Sequence, residues 1–223
     1  MKKQVRAVLL VTAALAAAVS TQAATYNGDL VIGFTAASGA DFEFDLGAAS
    51  SLTSGQTFNL SSQLSGFNLS TVNWGVVGTA TVGTSRFSWS TVSGQSIASA
   101  AAWSKVNTAI STMYSLFATA GPGNSATPDS ADPSGWNQET RVGGGASQYH
   151  NVYINPNTVG TGSADFFSVL AGGGAGSAMG SFSLDSNGIL TFTAVPEPST
   201  YGVMAGFGLL ALCLRRQFVK KTA

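Results

Sequence analysis

The sequence predicts a mainly β exported domain, an antiparallel β-sandwich with one covering α-helix, between a secretory leader and a short C-terminal transmembrane helix. Three observations carry this. Short runs with apolar residues at every second position recur between Gly, Ser and Asn turns. One segment switches to three- and four-residue spacing. The basic residues crowd into the two ends of the chain.

The domain is read as residues 24–194, enough chain to bury about 70% of its unfolded surface in one core. Tyr26 to Thr35 reads as a strand with Leu30, Ile32 and Phe34 on one face. Asp41 to Leu46 alternates, with Phe42, Phe44 and Leu46 inward and Asp41, Glu43 and Asp45 on the outer, solvated face. Thr57 to Leu60 is a weaker strand. Val72 to Val82 and Ser85 to Val92 read as a pair, with Trp74, Val76, Phe87 and Trp89 in the core. Ser147 to Ile154 is a further candidate, carrying Tyr149 and Tyr153. Gly180 to Leu184 and Ile189 to Ala194 flank Asp185-Ser186-Asn187-Gly188, where Asn-Gly signals a hairpin whose two turn residues take positive φ. That hairpin sets Phe182 and Leu184 against Leu190 and Phe192.

Ile97 to Ala118 breaks the pattern. It lacks Gly and Pro, and Trp103, Val106, Ile110, Met113 and Phe117 fall on one helical face. Ser96 or Ser99 can cap its start, and Gly121-Pro122 ends it. A helix laid on a sheet is the reading adopted; a helix lying on a membrane would need a basic face that is missing. Gly121 to Gly135 then reads as a loop. No fixed-period repeat supports a solenoid or propeller.

Charge and cysteine content exclude several functions. Between Ala24 and Val195 stand nine acidic side chains and three basic ones, Arg86, Lys105 and Arg141, a formal charge of −6. No basic stripe exists for nucleic acid. The single cysteine, Cys213, lies in the apolar tail, and the lone His150 cannot make a zinc site unaided. No metal or cofactor is expected. Asp41, Glu43 and Asp45 lack the Gly turn and closing Glu of a calcium loop. Asp129 and Asp132 suit a turn-forming loop. No Ser sits in a Gly-x-Ser-x-Gly elbow, and Gly143–Gly145 is not a phosphate loop. Asn59-Leu60-Ser61 and Asn68-Leu69-Ser70 fit the glycosylation acceptor pattern, which chance supplies freely in a Ser-rich chain. No catalytic residue is named, and the protein is read as non-enzymatic.

The two ends carry the functional signals. Residues 1–23 have a positive start (Lys2, Lys3, Arg6), an apolar run from Ala7 to Val19, and small residues at Thr21 and Ala23. This is a secretory signal peptide for Sec-type export, cleaved between Ala23 and Ala24. Residues 195–221 run VPEPSTYGVMAGFGLLALCLRRQFVKK. Pro196-Glu197-Pro198 holds the chain extended. Tyr201 to Leu214 would span roughly 21 Å as a helix, short for a bilayer core of ~30 Å. Arg215 and Arg216 open a basic tail, residues 215–221, which should stay cytoplasmic.

This order of parts resembles the PEP-CTERM sorting signal, also catalogued as the ice-binding protein C-terminal domain. The resemblance implies recognition by exosortase, a membrane-embedded cysteine transpeptidase, with Pro196, Glu197 and Pro198 as the motif and Arg215 and Arg216 as the basic end. It further implies an inner-membrane-anchored precursor, then a place at the cell surface or in the extracellular matrix of a Gram-negative-type bacterium that makes exopolysaccharide and biofilm. It assigns no activity to residues 24–194. A structural or adhesive role is the expectation. Its rivals are a carbohydrate- or ice-binding module and a carbohydrate-active enzyme. Polysaccharide binding would use exposed aromatics, with Trp136 in the long loop as the best candidate. Ice binding would need regularly spaced threonines, which are not seen. The enzyme would need two convergent carboxylates in a cleft.

Overall fold

The computed structural model describes residues 25, 26, 28–36, 39–91, 100–142 and 158–195. The first strands lie where the sequence places them. They are β1 (Asp29–Thr35), β2 (Asp41–Ala48), β3 (Thr57–Asn59), β4 (Asn73–Val82) and β5 (Ser85–Ser90). On β5, however, the expected core residues Phe87 and Trp89 are only half-buried while Ser88 and Ser90 are buried. Helix α1 (Ala100–Tyr114) comes next, then the two-residue strands β6 (Ser125–Ala126) and β7 (Thr158–Val159). The chain closes with β8 (Gly162–Leu170), β9 (Ser177–Leu184) and β10 (Ile189–Ala194).

These strands make one continuous antiparallel sheet in the order β3-β10-β9-β8-β5-β4-β1-β2-β6, with β7 on the end of β4. The expected sandwich of separate sheets is thereby corrected to a single curled sheet. Laid flat, six strand spacings of ~4.8 Å would put β10 almost 30 Å from β2. Yet Leu30, Ile32, Phe34 and Phe42 share one buried cluster with Phe166, Phe182, Leu190 and Phe192. These residues lie on the face opposite α1, and the sheet curls over that inner face to bury them. Strand twist supplies curvature, and register shifts between Leu30 and Val31 and between Phe166 and Phe167 interrupt the ladder on both halves.

The outer face carries a second cluster. Val31, Val77 and Val169 of the sheet are covered by Trp103, Val106, Ile110, Met113 and Tyr114 of α1, by Phe117 beyond it, and by Trp136. The helical face read from the sequence is the buried one. The helix stops at Tyr114, earlier than expected, and continues as turns from Ser115 to Phe117. Its proposed caps, Ser96 and Ser99, lie outside the described residues, as do His150 and the candidate strand at Ser147 to Ile154.

The β9–β10 hairpin has the expected pairing, Leu184 opposite Leu190 and Phe182 opposite Phe192. Its turn differs from the two-residue form. Asp185 N donates to Ile189 O (3.0 Å), and Gly188 N donates to Asp185 O (3.2 Å), enclosing a three-residue loop. Gly188 takes positive φ (77°), as the closing residue of such a loop requires. The Asp185 carboxylate accepts from Asn187 N and Ile189 N. These contacts hold its pKa below the ordinary value, the Ile189 bond foremost.

Candidate functional site: the domain–tail junction and a buried carboxylate row

Strand β10 delivers the chain to its C-terminal signal, and it is held on both sides. Against β9 it is paired as far as Ala194, opposite Gly180. A Cβ at Gly180 would run into Thr193 O and the Phe192 ring, so glycine permits this close approach. On the other side β3 pairs only with Ile189 to Thr191. Beyond it, Phe192 N donates to Gln56 O (2.9 Å), Gly55 N to Phe192 O (2.8 Å) and Ala194 N to Ser54 Oγ (3.2 Å). At the last described residue, Val195 N donates to Met179 O at 3.0 Å. Val195 itself is 49% exposed. The next residue, Pro196, has no N–H with which to extend the ladder. The anchored strand thus leads without a spacer into Pro196-Glu197-Pro198.

The acidic side chains of β2 do not face solvent. Asp41, Glu43 and Asp45 are 1%, 0% and 0% exposed. They share the outer face with Val31 and Gly33 and lie beneath α1 and the segment that carries Trp136. Asp45 is well partnered: Tyr114 Oη donates to its Oδ2 at 2.6 Å and Gly47 N to its Oδ1 at 2.7 Å. Burial raises its pKa, the Tyr114 and Gly47 hydrogen bonds oppose that rise, and Asp29 adds to it. Tyr114 also accepts from Gly121 N at 3.0 Å. Its own pKa is raised, first by burial and then by its bond to Asp45. Asp41 Oδ2 accepts from Asn137 N at 2.7 Å, which pins the loop to the sheet.

Glu43 is the outlier. Both its oxygens are buried with no hydrogen-bond partner of good geometry. Burial holds its pKa well above the usual carboxylate range; Asp41 pushes it further, the Trp136 backbone N–H pulls it down, and Asp132 and Glu139 add smaller repulsions. Glu139 is itself fully buried, one turn after Trp136. A carboxylic acid held neutral in an apolar setting is the lower-energy state for such a group.

Trp136 is 0% exposed and is therefore no sugar-stacking platform, contrary to expectation. Its indole lies flat against Gly33, where any Cβ would collide with the ring. Gly33 stands directly opposite Glu43 in the ladder. A glycine inside an otherwise apolar strand was the sequence signal for this close approach. Asp129 and Asp132 do build turns, their Oδ1 atoms accepting from Ala131 N and Ser134 N at 2.8 Å. Among the described residues no group of three or more His, Cys, Asp or Glu side chains is arranged to hold a metal.

The sites read from the ends of the chain, Ala23, Ala24, Pro196, Glu197, Pro198, Arg215 and Arg216, lie outside the described residues. Among the described residues no helix is long and apolar enough to cross a membrane; Tyr201 to Leu214 is not among them. The tail defines the class of protein: an exported one with a C-terminal sorting signal directed to exosortase. Residues 194–217 match the PEP-CTERM protein-sorting motif, starting at the last residue of β10. No curated protein and no solved structure matches the chain.

Proposed function

We propose that the protein is a non-enzymatic structural or adhesive component of the cell surface or extracellular matrix, delivered there by exosortase processing at Pro196-Glu197-Pro198. Sec-type export removes residues 1–23. Tyr201 to Leu214 then holds the precursor in the inner membrane with Arg215 and Arg216 inside. The junction geometry is the observation that carries this reading. Val195 N still donates to Met179 O in the sheet, and the match to the sorting motif begins at Ala194, so the motif follows directly on a strand anchored in the domain. The two prolines keep the next residues extended, the form in which a transpeptidase reads a chain. Glu197 is the one charge between Asp185 and Arg215 and serves as a recognition point.

The non-enzymatic reading draws on the carboxylates. A glycosidase needs two of them converging on a cleft, whereas Asp41, Glu43, Asp45 and Glu139 are packed beneath α1 and Trp136. The test is a blot of fractionated cells in a host that carries an exosortase. Glu197→Ala should leave export intact and strand an uncut precursor, heavier by the tail, in the inner membrane. Equal sizes and equal membrane retention for wild type and variant would make the tail a plain anchor.

A further inference from the structure

The loop from Leu60 to Thr71 and the β9–β10 turn enclose a cleft of about 480 Å3. Its apolar part comes from the half-buried Phe67 and Leu69, above the buried Leu64, its polar rim from the exposed Asn68, Thr161, Ser186 and Asn187. The walls are braced. Asn68 Oδ1 accepts from both the backbone N–H (3.1 Å) and the hydroxyl (2.7 Å) of Ser70. Asn59 Oδ1 does the same for Ser61, at 3.1 and 2.7 Å. Leu60 N donates to Gly188 O (3.0 Å), tying the loop to the turn. Gly160 N donates to Val72 O (2.7 Å), and Trp74 Nε1 donates to Gly160 O (2.8 Å), tying the third wall to the core. Gly188 and Gly160 leave room for this approach: a Cβ at either would crowd Ser61 Cα (3.0 Å) or Ser70 O (2.7 Å).

The chemistry of the lining selects among ligands. No ionisable side chain is present, so a charged ligand would lose hydration without gaining a counter-charge. An anionic ligand would also meet the field of a domain with formal charge −6. A purely apolar ligand would leave the amide and hydroxyl rim unmatched. A ring whose C–H face rests on the half-buried Phe67 and Leu69 while its hydroxyls reach Asn68, Thr161, Ser186 and Asn187 satisfies both parts. The volume lies within the range of small-ligand sites. We infer that this cleft is a binding site for a neutral, uncharged oligosaccharide.

The fold also sets where the cleft faces. Ser186 and Asn187 precede β10 and Val195 follows it. Six strand residues separate the two by about 20 Å. The cleft is therefore at the end of the sheet opposite Val195, the residue that precedes the sorting motif in the sequence. In a precursor tethered at its tail, as the proposed function has it, the cleft points away from the membrane. Only this orientation rests on that reading; the binding chemistry stands apart from it.

The test is saturation-transfer NMR with the full chain in zwitterionic, sugar-free micelles. The probes are cellohexaose, maltohexaose and laminarihexaose as neutral glycans and an alginate oligomer as the acidic control. Wild type should bind at least one neutral hexasaccharide with Kd on the order of 1 mM or tighter, and alginate more weakly. Phe67→Ala should weaken binding about tenfold or more. Thr161→Arg, at an exposed position that does not test the core, should block the cleft to the same extent with an unchanged thermal melt. The inference is overturned by a wild type that binds none of the three neutral glycans, by equal or tighter alginate binding, or by a Thr161→Arg variant that binds as wild type does. None of these results would alter the blot for Glu197→Ala, so the two readings fail separately.

Discussion

Replacing Glu43 with glutamine should change the pH dependence of stability far more than the fold. In the folded protein Glu43 is fully buried and its carboxyl is held neutral well above the ordinary range. In the unfolded chain it returns to about 4.3. Between those two values the folded state keeps the proton and the unfolded state releases it. Stability therefore falls as pH rises through that window, by up to about 1.4 kcal/mol per pH unit for this one group. Below the unfolded pKa both states are protonated and nothing is lost. Glutamine has nearly the same shape and no proton to release, so the contribution vanishes. Urea unfolding followed by fluorescence of the buried Trp74 and Trp136 would give stability at pH 4, 6 and 8. At pH 4 the variant should lie within about 1 kcal/mol of wild type. By pH 8 it should be the more stable of the two, with the gap opening as pH rises. Asp45, whose pKa is also raised, leaves a smaller slope in both proteins. Parallel curves for the two would refute the reasoning, since Glu43 would then be ionising alike in both states.

Two further substitutions test the same face of the sheet. Gly33→Ala places a methyl group into the Trp136 indole and should destabilise by about 1–3 kcal/mol in a chemical melt; a neutral result would show that the ring does not bear on β1. Tyr114→Phe removes the 2.6 Å hydrogen bond that lowers the Asp45 pKa and should cost about 1–3 kcal/mol. That cost should be larger at pH 8 than at pH 4, because the bond favours the ionised carboxylate; a pH-independent loss would mean that the hydroxyl bonds the neutral and ionised carboxyl equally well.

The inner face of the sheet was legible because its rule is local. Leu30, Ile32 and Phe34 on β1 and the Leu184–Leu190 and Phe182–Phe192 pairs on the hairpin follow from alternation alone. So does the helical face from Trp103 to Phe117. Strand β8 went unread. Its Asp165 and the Phe166-Phe167 doublet break the period of two, and the register shift between those phenylalanines is the physical cause.

The sequence by itself determined the C-terminal sorting signal, since the order of prolines, apolar run and basic tail is a property of the chain and needs no partner in space. It also determined which side chains of each strand and helix stand together, because backbone geometry alternates them. The tertiary structure decided what covers each face. Asp41, Glu43 and Asp45 have the spacing of a solvated row, and Trp136 that of an exposed loop aromatic. Both are buried because α1 and the loop after it close over β1 and β2. Curling decided the rest, bringing strands from both ends of the ladder onto one core. Periodicity reports that side chains share a face, whereas burial depends on chain segments tens of residues away that the local pattern does not contain.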